Sequence, residues 1–404
     1  MKKVLFVAII ATLIAVGCEK TEIINPQPEP GLTFSTNMGK LTKAPDADKG
    51  GNINLQEQNF RVWAYAEYED ENTNAIEKYN IYDGIKNLAV TYNTPSTEGT
   101  EGTWGTDKQY FWPGEGKELT FLAVSAGKII GGNDEFLGVS GNDTDSLTIN
   151  FIQTQDENKT ITGIGGLSVN NFNVTDQNYN RDLMVADGVT QHQEDKIVNL
   201  KFHHTLSKVE FLFTTNTVNN TEEPINVWVQ KVEVKGLATQ GTLTATMSKG
   251  EAASGEGVSY EGVQNEASFD WQLNTTTFGD FTDDWDETYI GDDFPTSIDG
   301  VPVAASADDK IAMKITNDGS DDHPAQNFTT WLMLPQNIEG KLVEITYLIN
   351  ERKFTSIFSL SNSTLKTWAA NQHIRYKVNL SPNLISFEAD VEEWTPTTDV
   401  EHNN

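Results

Sequence analysis

Ile374-Arg375-Tyr376-Lys377-Val378-Asn379-Leu380 alternates apolar with polar residues, and beyond the break at Ser381-Pro382-Asn383 the run Ile385-Ser386-Phe387-Glu388-Ala389-Asp390-Val391-Glu392 does so again. Successive side chains of an extended strand point to opposite faces. A period of two therefore puts Ile374, Tyr376, Val378 and Leu380 on one side and Arg375, Lys377 and Asn379 on the other. That suits a sheet with one face on a core and one in water. Working outward, the runs 60–66, 119–124, 208–213, 227–234 and 341–349 have strand character, with clusters of Gly, Asn, Asp and Pro between them. No window of a dozen residues keeps a helical apolar stripe. The chain reads as all-β, and many short strands imply β-sandwiches.

The first residues have a different character. Lys2 and Lys3 precede an apolar run from Val4 to Val16, interrupted only by Thr12 and followed by Gly17-Cys18. Such a run makes a helix of roughly 20 Å, short of the ~30 Å hydrocarbon core, so it predicts a secretion signal rather than a membrane span. Cys18 is the single cysteine of the chain, and its setting resembles the lipobox of bacterial lipoproteins, although Ala15 stands where that motif prefers Leu or Val. The expectation is a signal peptide over 1–17, cleavage before Cys18 and a lipid on that residue. Several acyl chains then hold the protein on a membrane at about 0.8 kcal/mol per buried methylene. Residues 18–31, with Pro26, Pro28 and Pro30 among polar residues, predict an extended tether.

Loss of Lys2 and Lys3 takes the net charge from −31 to −33. Lys and Arg form no cluster that could displace counterions, so nucleic-acid binding is set aside. With Cys18 lipidated no thiol is left for disulfides or cysteine-based zinc sites, and packed cores must hold the fold. Two domains are expected, 32–190 and 191–394, divided at the polar stretch 187–196, with a polar tail over 395–404.

No Gly-x-Ser-x-Gly elbow, phosphate loop or His-Glu-x-x-His pair occurs. Gly163-Ile164-Gly165-Gly166 lacks dinucleotide-loop spacing and reads as a flexible turn. His203 and His204 are adjacent in a strand-like run, face opposite sides, and read as structural, His204 satisfied by a core hydrogen bond. Residues 46–57 match an EF-hand loop in part, but Gly50 takes a ligand position and the flanks are not helical, so no metal is expected. Between 279 and 295, seven carboxylates alternate with Phe281, Trp285, Tyr289 and Phe294. Calcium binding, a sugar stacked on Trp285 and an aromatic-pinned loop are all compatible with that pattern. No pair of catalytic carboxylates can be named, and neither an enzyme nor a cofactor is expected.

Several runs in order along the chain carry a family resemblance: Phe34 with Thr42-Lys43-Ala44, Phe60-Arg61-Val62-Trp63-Ala64-Tyr65, Tyr110-Phe111-Trp112-Pro113, Leu119-Thr120-Phe121-Leu122-Ala123, Asp182-Leu183-Met184-Val185-Ala186, the stretch 200–211, Leu332-Met333-Leu334-Pro335-Gln336, the stretch 368–376, Ile385-Ser386-Phe387 and the stretch 391–394. Together they resemble the fimbrillins, Mfa-like pilus subunits and surface lipoproteins of Bacteroidales type V pili. The resemblance implies two tandem transthyretin-like β-sandwich domains. It also implies a lipid-anchored subunit on the outer membrane and in the fimbrium, with other fimbrial subunits and host or bacterial surface ligands as partners.

Assembly by β-strand donation is implied as well. A sandwich short of one strand exposes an apolar groove and unpaired backbone, and a neighbour's strand satisfies both. Ile385, Phe387, Ala389 and Val391 mark the candidate donor. In stalk subunits an Arg-specific protease removes an N-terminal strand, whereas the loop after 32–36 offers Lys40, Lys43 and Lys49 and no arginine before Arg61. That loop is the candidate protease-sensitive segment. A glycan-binding surface lipoprotein that uses Trp285 is the alternative reading.

Overall fold

A computed structural model describes residues 31–36, 60–69, 76–82, 84–93, 102–113, 118–125, 148–155, 161–174, 182–192, 197–215, 226–247, 263–265, 267–282, 295–302, 312–315, 328–381 and 384–393. These residues form 28 strands and no helix. The first seven are β1 (Thr33–Thr36), β2 (Phe60–Glu69), β3 (Ile76–Ile81), β4 (Leu88–Asn93), β5 (Thr103–Gly105), β6 (Glu118–Ser125) and β7 (Thr148–Gln155). Next come β8 (Ile161–Asn173), β9 (Met184–Ala186), β10 (Gly188–His192), β11 (Ile197–Leu200), β12 (Phe202–His204), β13 (Ser207–Thr214) and β14 (Val227–Ala238). Then follow β15 (Gln240–Met247), β16 (Val263–Asn265), β17 (Ala267–Leu273), β18 (Phe278–Thr282), β19 (Ser297–Ile298), β20 (Val301–Pro302) and β21 (Met313–Ile315). The last are β22 (Phe328–Met333), β23 (Gln336–Asn337), β24 (Leu342–Ile349), β25 (Arg352–Ser359), β26 (Thr367–Trp368), β27 (Gln372–Ser381) and β28 (Leu384–Glu393).

An 11-stranded sheet follows the order β11-β1-β5-β4-β2-β6-β10-β16, with β3 on β2 and with β9 joining β12 to β6. Alternation along β2 and β6 gives this sheet two apolar faces. Phe60, Val62, Ala64, Phe121 and Ala123 enter one core with Phe34, Trp112, Val198 and Phe202. Trp63, Tyr65, Leu122 and Val124 enter another, shared with Leu167 and Val169 of β8 and Leu243 and Ala245 of β15. Coverage on both faces explains why 60–66 is a nearly unbroken apolar run rather than an alternating one.

A third core lies between the sheets β22-β13-β27-β28 and β18-β14-β24-β25. It takes Val209, Phe211 and Phe213 from β13, Val232 and Val234 from β14, Val343, Ile345 and Tyr347 from β24, and Ile374, Tyr376, Val378 and Leu380 from β27. The apolar row read from 374–380 is thus wholly interior. Trp368 Nε1 donates to Tyr376 Oη at 3.0 Å, and that hydroxyl donates to the Leu360 carbonyl at 2.9 Å, so neither polar tip is buried without a partner.

Sheet membership does not divide at residue 190. β10 spans that position, β11 pairs with β1, and β15 and β17 form a four-stranded sheet with β8 and β7. The chain passes from β14 in the second sandwich straight into β15 in the first. At the crossing Gln336 takes the part of a missing strand neighbour for Ala238: its Oε1 accepts from the Ala238 N–H at 2.9 Å and its Nε2 donates to the Ala238 carbonyl at 3.3 Å. Trp271 on the returning strand donates through Nε1 to the Thr205 carbonyl at 2.8 Å.

Gly163 to Gly166, read from sequence as a flexible turn, lies inside β8. Gly166 has φ 146°, and a Cβ placed there would stand 2.0 Å from the Ala245 carbonyl oxygen. Gly166 therefore serves close approach of two strands and not chain reversal.

Candidate assembly surfaces

β1 is short, yet both of its edges are occupied. It runs parallel to β11, with Phe34 opposite Val198, and antiparallel to β5, with Phe34 opposite Trp104. Its entry is pinned by Leu32 N–H donating to the Tyr110 carbonyl at 2.8 Å. Ser35 Oγ donates to Asn199 Oδ1, and Trp104 Nε1 donates to Thr36 Oγ1 at 3.1 Å. Phe34 is buried edge-on against Phe60 and Phe121, with centroids 6.4 and 6.1 Å away. Burial of such a side chain stabilises by about 1.5–3 kcal/mol. The arrangement is a slot lined by two strand edges and one aromatic pocket, filled by an N-terminal segment of the same chain.

β28 lies at the rim of its sheet and pairs with β27 over its full length, from Ser381 opposite Leu384 to Gln372 opposite Glu393. Phe387 stacks on Phe358 at 4.8 Å and on Tyr376 at 5.0 Å. Phe387 and Ala389 pack partly buried against the core between the β13 and β14 sheets, while Ile385 and Val391 are each 39% exposed. The four apolar residues read as a donor row are thus held in this chain's own sandwich by a single strand neighbour.

Three acid–histidine contacts, each with a buried carboxylate, lie away from these edges. Asp182 Oδ2 is 2.6 Å from His204 Nδ1, so His204 is satisfied in the core, and Asp187 Oδ1 is 2.9 Å from His203 Nε2. Glu210 on β13 faces Arg375 and His373 of parallel β27, with His373 Nε2 at 3.4 Å from Oε2 and Arg375 Nε donating to Oε1. Burial alone would raise the Glu210 carboxyl, but hydrogen bonding and charge from His373 and Arg375 outweigh it and hold the carboxyl at about 2, below its ordinary 4.5. A carboxyl lowered on folding contributes stability above its unfolded value and loses it as pH falls toward its folded value. Urea unfolding is expected to show wild type losing about 3 kcal/mol between pH 4.5 and pH 2, with that loss absent in Glu210→Gln. A Gln variant with the same acid profile would contradict the assignment.

Cys18, Lys40, Lys43, Lys49 and Trp285 lie outside the described residues, as does the EF-hand-like stretch 46–57. Of the acidic stretch, Asp280 is described: its Oδ1 accepts from the Gly236 N–H at 3.1 Å, which ties β18 to a bulge in β14. Among the described residues no group of three His, Cys, Asp or Glu could hold a metal ion, and no helix is long and apolar enough to cross a membrane. Sequence reading missed the Glu210–Arg375 contact. The alternation of both strands was visible, but not that 207–214 and 372–379 would be parallel neighbours.

Apolar cores between stacked sheets, a slotted N-terminal strand and a C-terminal strand at a rim define an all-β protein of the sandwich class. The fimbrillin-like family profile matches residues 42–394. This chain belongs to that family. Comparison with curated protein sequences found no match. Among solved structures, the chain is similar to a fimbrial protein from Bacteroides vulgatus (15% identity, 90% of this chain and 99% of that one, TM-score 0.44). It is also similar to the tip fimbrial protein Mfa3 from Porphyromonas gingivalis with C-terminal truncation (11% identity, 91% and 100%, TM-score 0.29).

Proposed function

We propose that this chain is a fimbrial subunit of the cell surface, joined to other subunits by β-strand donation, with no catalytic role. Membership of the fimbrillin-like family over 42–394 is the observation that carries the reading. In this reading two transthyretin-like sandwich modules, drawn mainly from 32–190 and 191–394, follow a tether held to the outer membrane by lipid on Cys18.

The slot supports the donation step. With β1 withdrawn, the facing edges of β11 and β5 would lose their backbone partners and the Phe34 pocket beside Phe60 and Phe121 would open. A neighbour's strand with apolar residues at every second position satisfies both needs. Ile385, Phe387, Ala389 and Val391 have that spacing. Lys40, Lys43 and Lys49 follow β1 where the Arg-specific cut of stalk subunits would fall. Either a lysine-directed protease releases β1, or the chain keeps its lipid and serves as an anchor or accessory subunit. Ligands on host or bacterial surfaces complete the partner set, and nucleic acid is not among them.

Electron microscopy of cells labelled with antibody against this chain tests the reading. Label along or at the base of filaments is expected. Label spread over a surface bare of filaments would overturn it.

A further inference from the structure

The sheet β18-β14-β24-β25 ends at β25, and among the described residues no strand pairs with its outer edge. The edge is nonetheless occupied where the strand begins. The Asp299 N–H donates to the Glu351 carbonyl at 2.8 Å, and its Oδ1 accepts from the Lys353 N–H in a longer contact of 3.4 Å. In a parallel ladder a neighbouring residue makes those two bonds with its own N–H and its own carbonyl. Asp299 thus stands where a strand partner of Arg352 would stand, with a carboxylate oxygen in place of the carbonyl.

Asp299 is held there by a small hairpin, in which Ile298 pairs with Val301 and Ser297 with Pro302. Asp299 and Gly300 have φ of 51° and 78°, the left-handed conformation that a two-residue hairpin turn demands and that Asp-Gly supplies. The hairpin is seated on the face of the sheet turned away from the large core, where Ile298 packs with Trp228, Leu348 and Ala312. Ser297 Oγ also donates to Glu351 Oε2 at 3.3 Å. Each of its strands is two residues long, and Pro302 has no N–H to offer, so the hairpin ends the sheet instead of extending it.

Beyond Lys353 the edge is of the kind that invites another strand. β25 keeps register with β24 from Arg352 to Ser359, contains no proline, and exposes Ile357 to 60%. Because the Lys353 N–H points outward, those of Thr355, Ile357 and Ser359 do so too. A regular edge of this kind is a template for pairing with other chains. We infer that the β19–β20 hairpin is an edge guard: it occupies the leading end of β25, lies across the path of any strand that would run the length of that edge, and so closes this sheet to lateral addition of other subunits.

The guard involves neither β1 nor β28 and stands apart from strand donation. Asp299→Gly keeps the turn conformation but removes the carboxylate, and Ile298→Ser loosens the seat on Trp228. In the full-length chain this double variant is expected to raise amide exchange over 351–355, read by mass spectrometry, by about tenfold. It is expected to self-associate in sedimentation at about tenfold lower concentration than the parent, and Ile357→Lys, which sets a charge on the freed edge, is expected to reverse that gain. Asp299→Asn retains both the turn and an acceptor oxygen and is expected to behave as the parent. If the double variant unfolds at a lower temperature than the parent, Asp299→Gly alone carries the same comparison. Unchanged exchange would mean that the hairpin does not hold the edge, and raised exchange without added association would mean that it guards nothing; either result overturns the inference. Association that survives Ile357→Lys would lie on another surface and overturn it as well.

Discussion

Joining Asn379 to Ser386 by a disulfide, through Asn379→Cys and Ser386→Cys, is expected to stop filament assembly while leaving a folded subunit. The two residues stand directly opposite on β27 and β28, where antiparallel neighbours bring Cβ atoms within disulfide reach. A bond there cannot form unless β28 lies on β27, and once formed it prevents β28 from being given to another copy. Thermal unfolding should be unchanged or raised, because the bond constrains only a short local loop. Each single-cysteine variant should assemble normally, and reductant should restore assembly to the double variant. Filaments that contain the intact disulfide would exclude β28 as the donor. Phe387→Asp would be a poorer probe of donation, because Phe387 stacks between Phe358 and Tyr376 and the charge would also damage the subunit's own core.

The second large effect concerns the slot. Phe34→Ala is expected to cost about 3–5 kcal/mol in urea unfolding, the range for truncating a buried Phe where the walls cannot collapse. Those walls are Phe60 and Phe121, both fully buried and themselves fixed in the centre of the sheet. Thr33→Ala, one residue away on the exposed side of β1, should stay within about 0.5 kcal/mol. A loss below 1 kcal/mol for Phe34→Ala would mean that the pocket closes without its occupant, and the proposed groove for an incoming strand would lose its physical basis. If the loss is as expected, the same figure sets how strongly a donated side chain could be held there.

What was legible from sequence was local. The alternation of 374–380 reports a strand because two successive residues decide which way each side chain points, and no distant contact is needed to read it. The same holds for 208–213, 227–234 and 341–349, which fall in β13, β14 and β24. The structural character of His203 and His204 followed from adjacency in a strand, and the absence of helix among the described residues from the lack of a 3.6-residue stripe. The family's landmarks are packing patterns of this same local kind, which is why they are recognisable in order along the chain.

Pairing was not legible, because strand neighbours are chosen by which faces and edges fit once the chain has closed loops of tens to hundreds of residues. Glu210 meets Arg375 across 165 positions of sequence, and nothing near either residue marks the other. The return of β15 and β17 to the first sandwich was invisible for the same reason: their alternation is equally compatible with either core. Gly163 to Gly166 looked like a turn because glycine permits one, and only the carbonyl of Ala245 pressed against Gly166 shows that the need was for space. The sequence by itself determined that this chain is built of strands and which side of each is apolar. Only the tertiary structure decided which edges are filled, as at β1, and which have no strand partner among the described residues, as at the rim of β28, because an edge is defined by the neighbour it has or lacks.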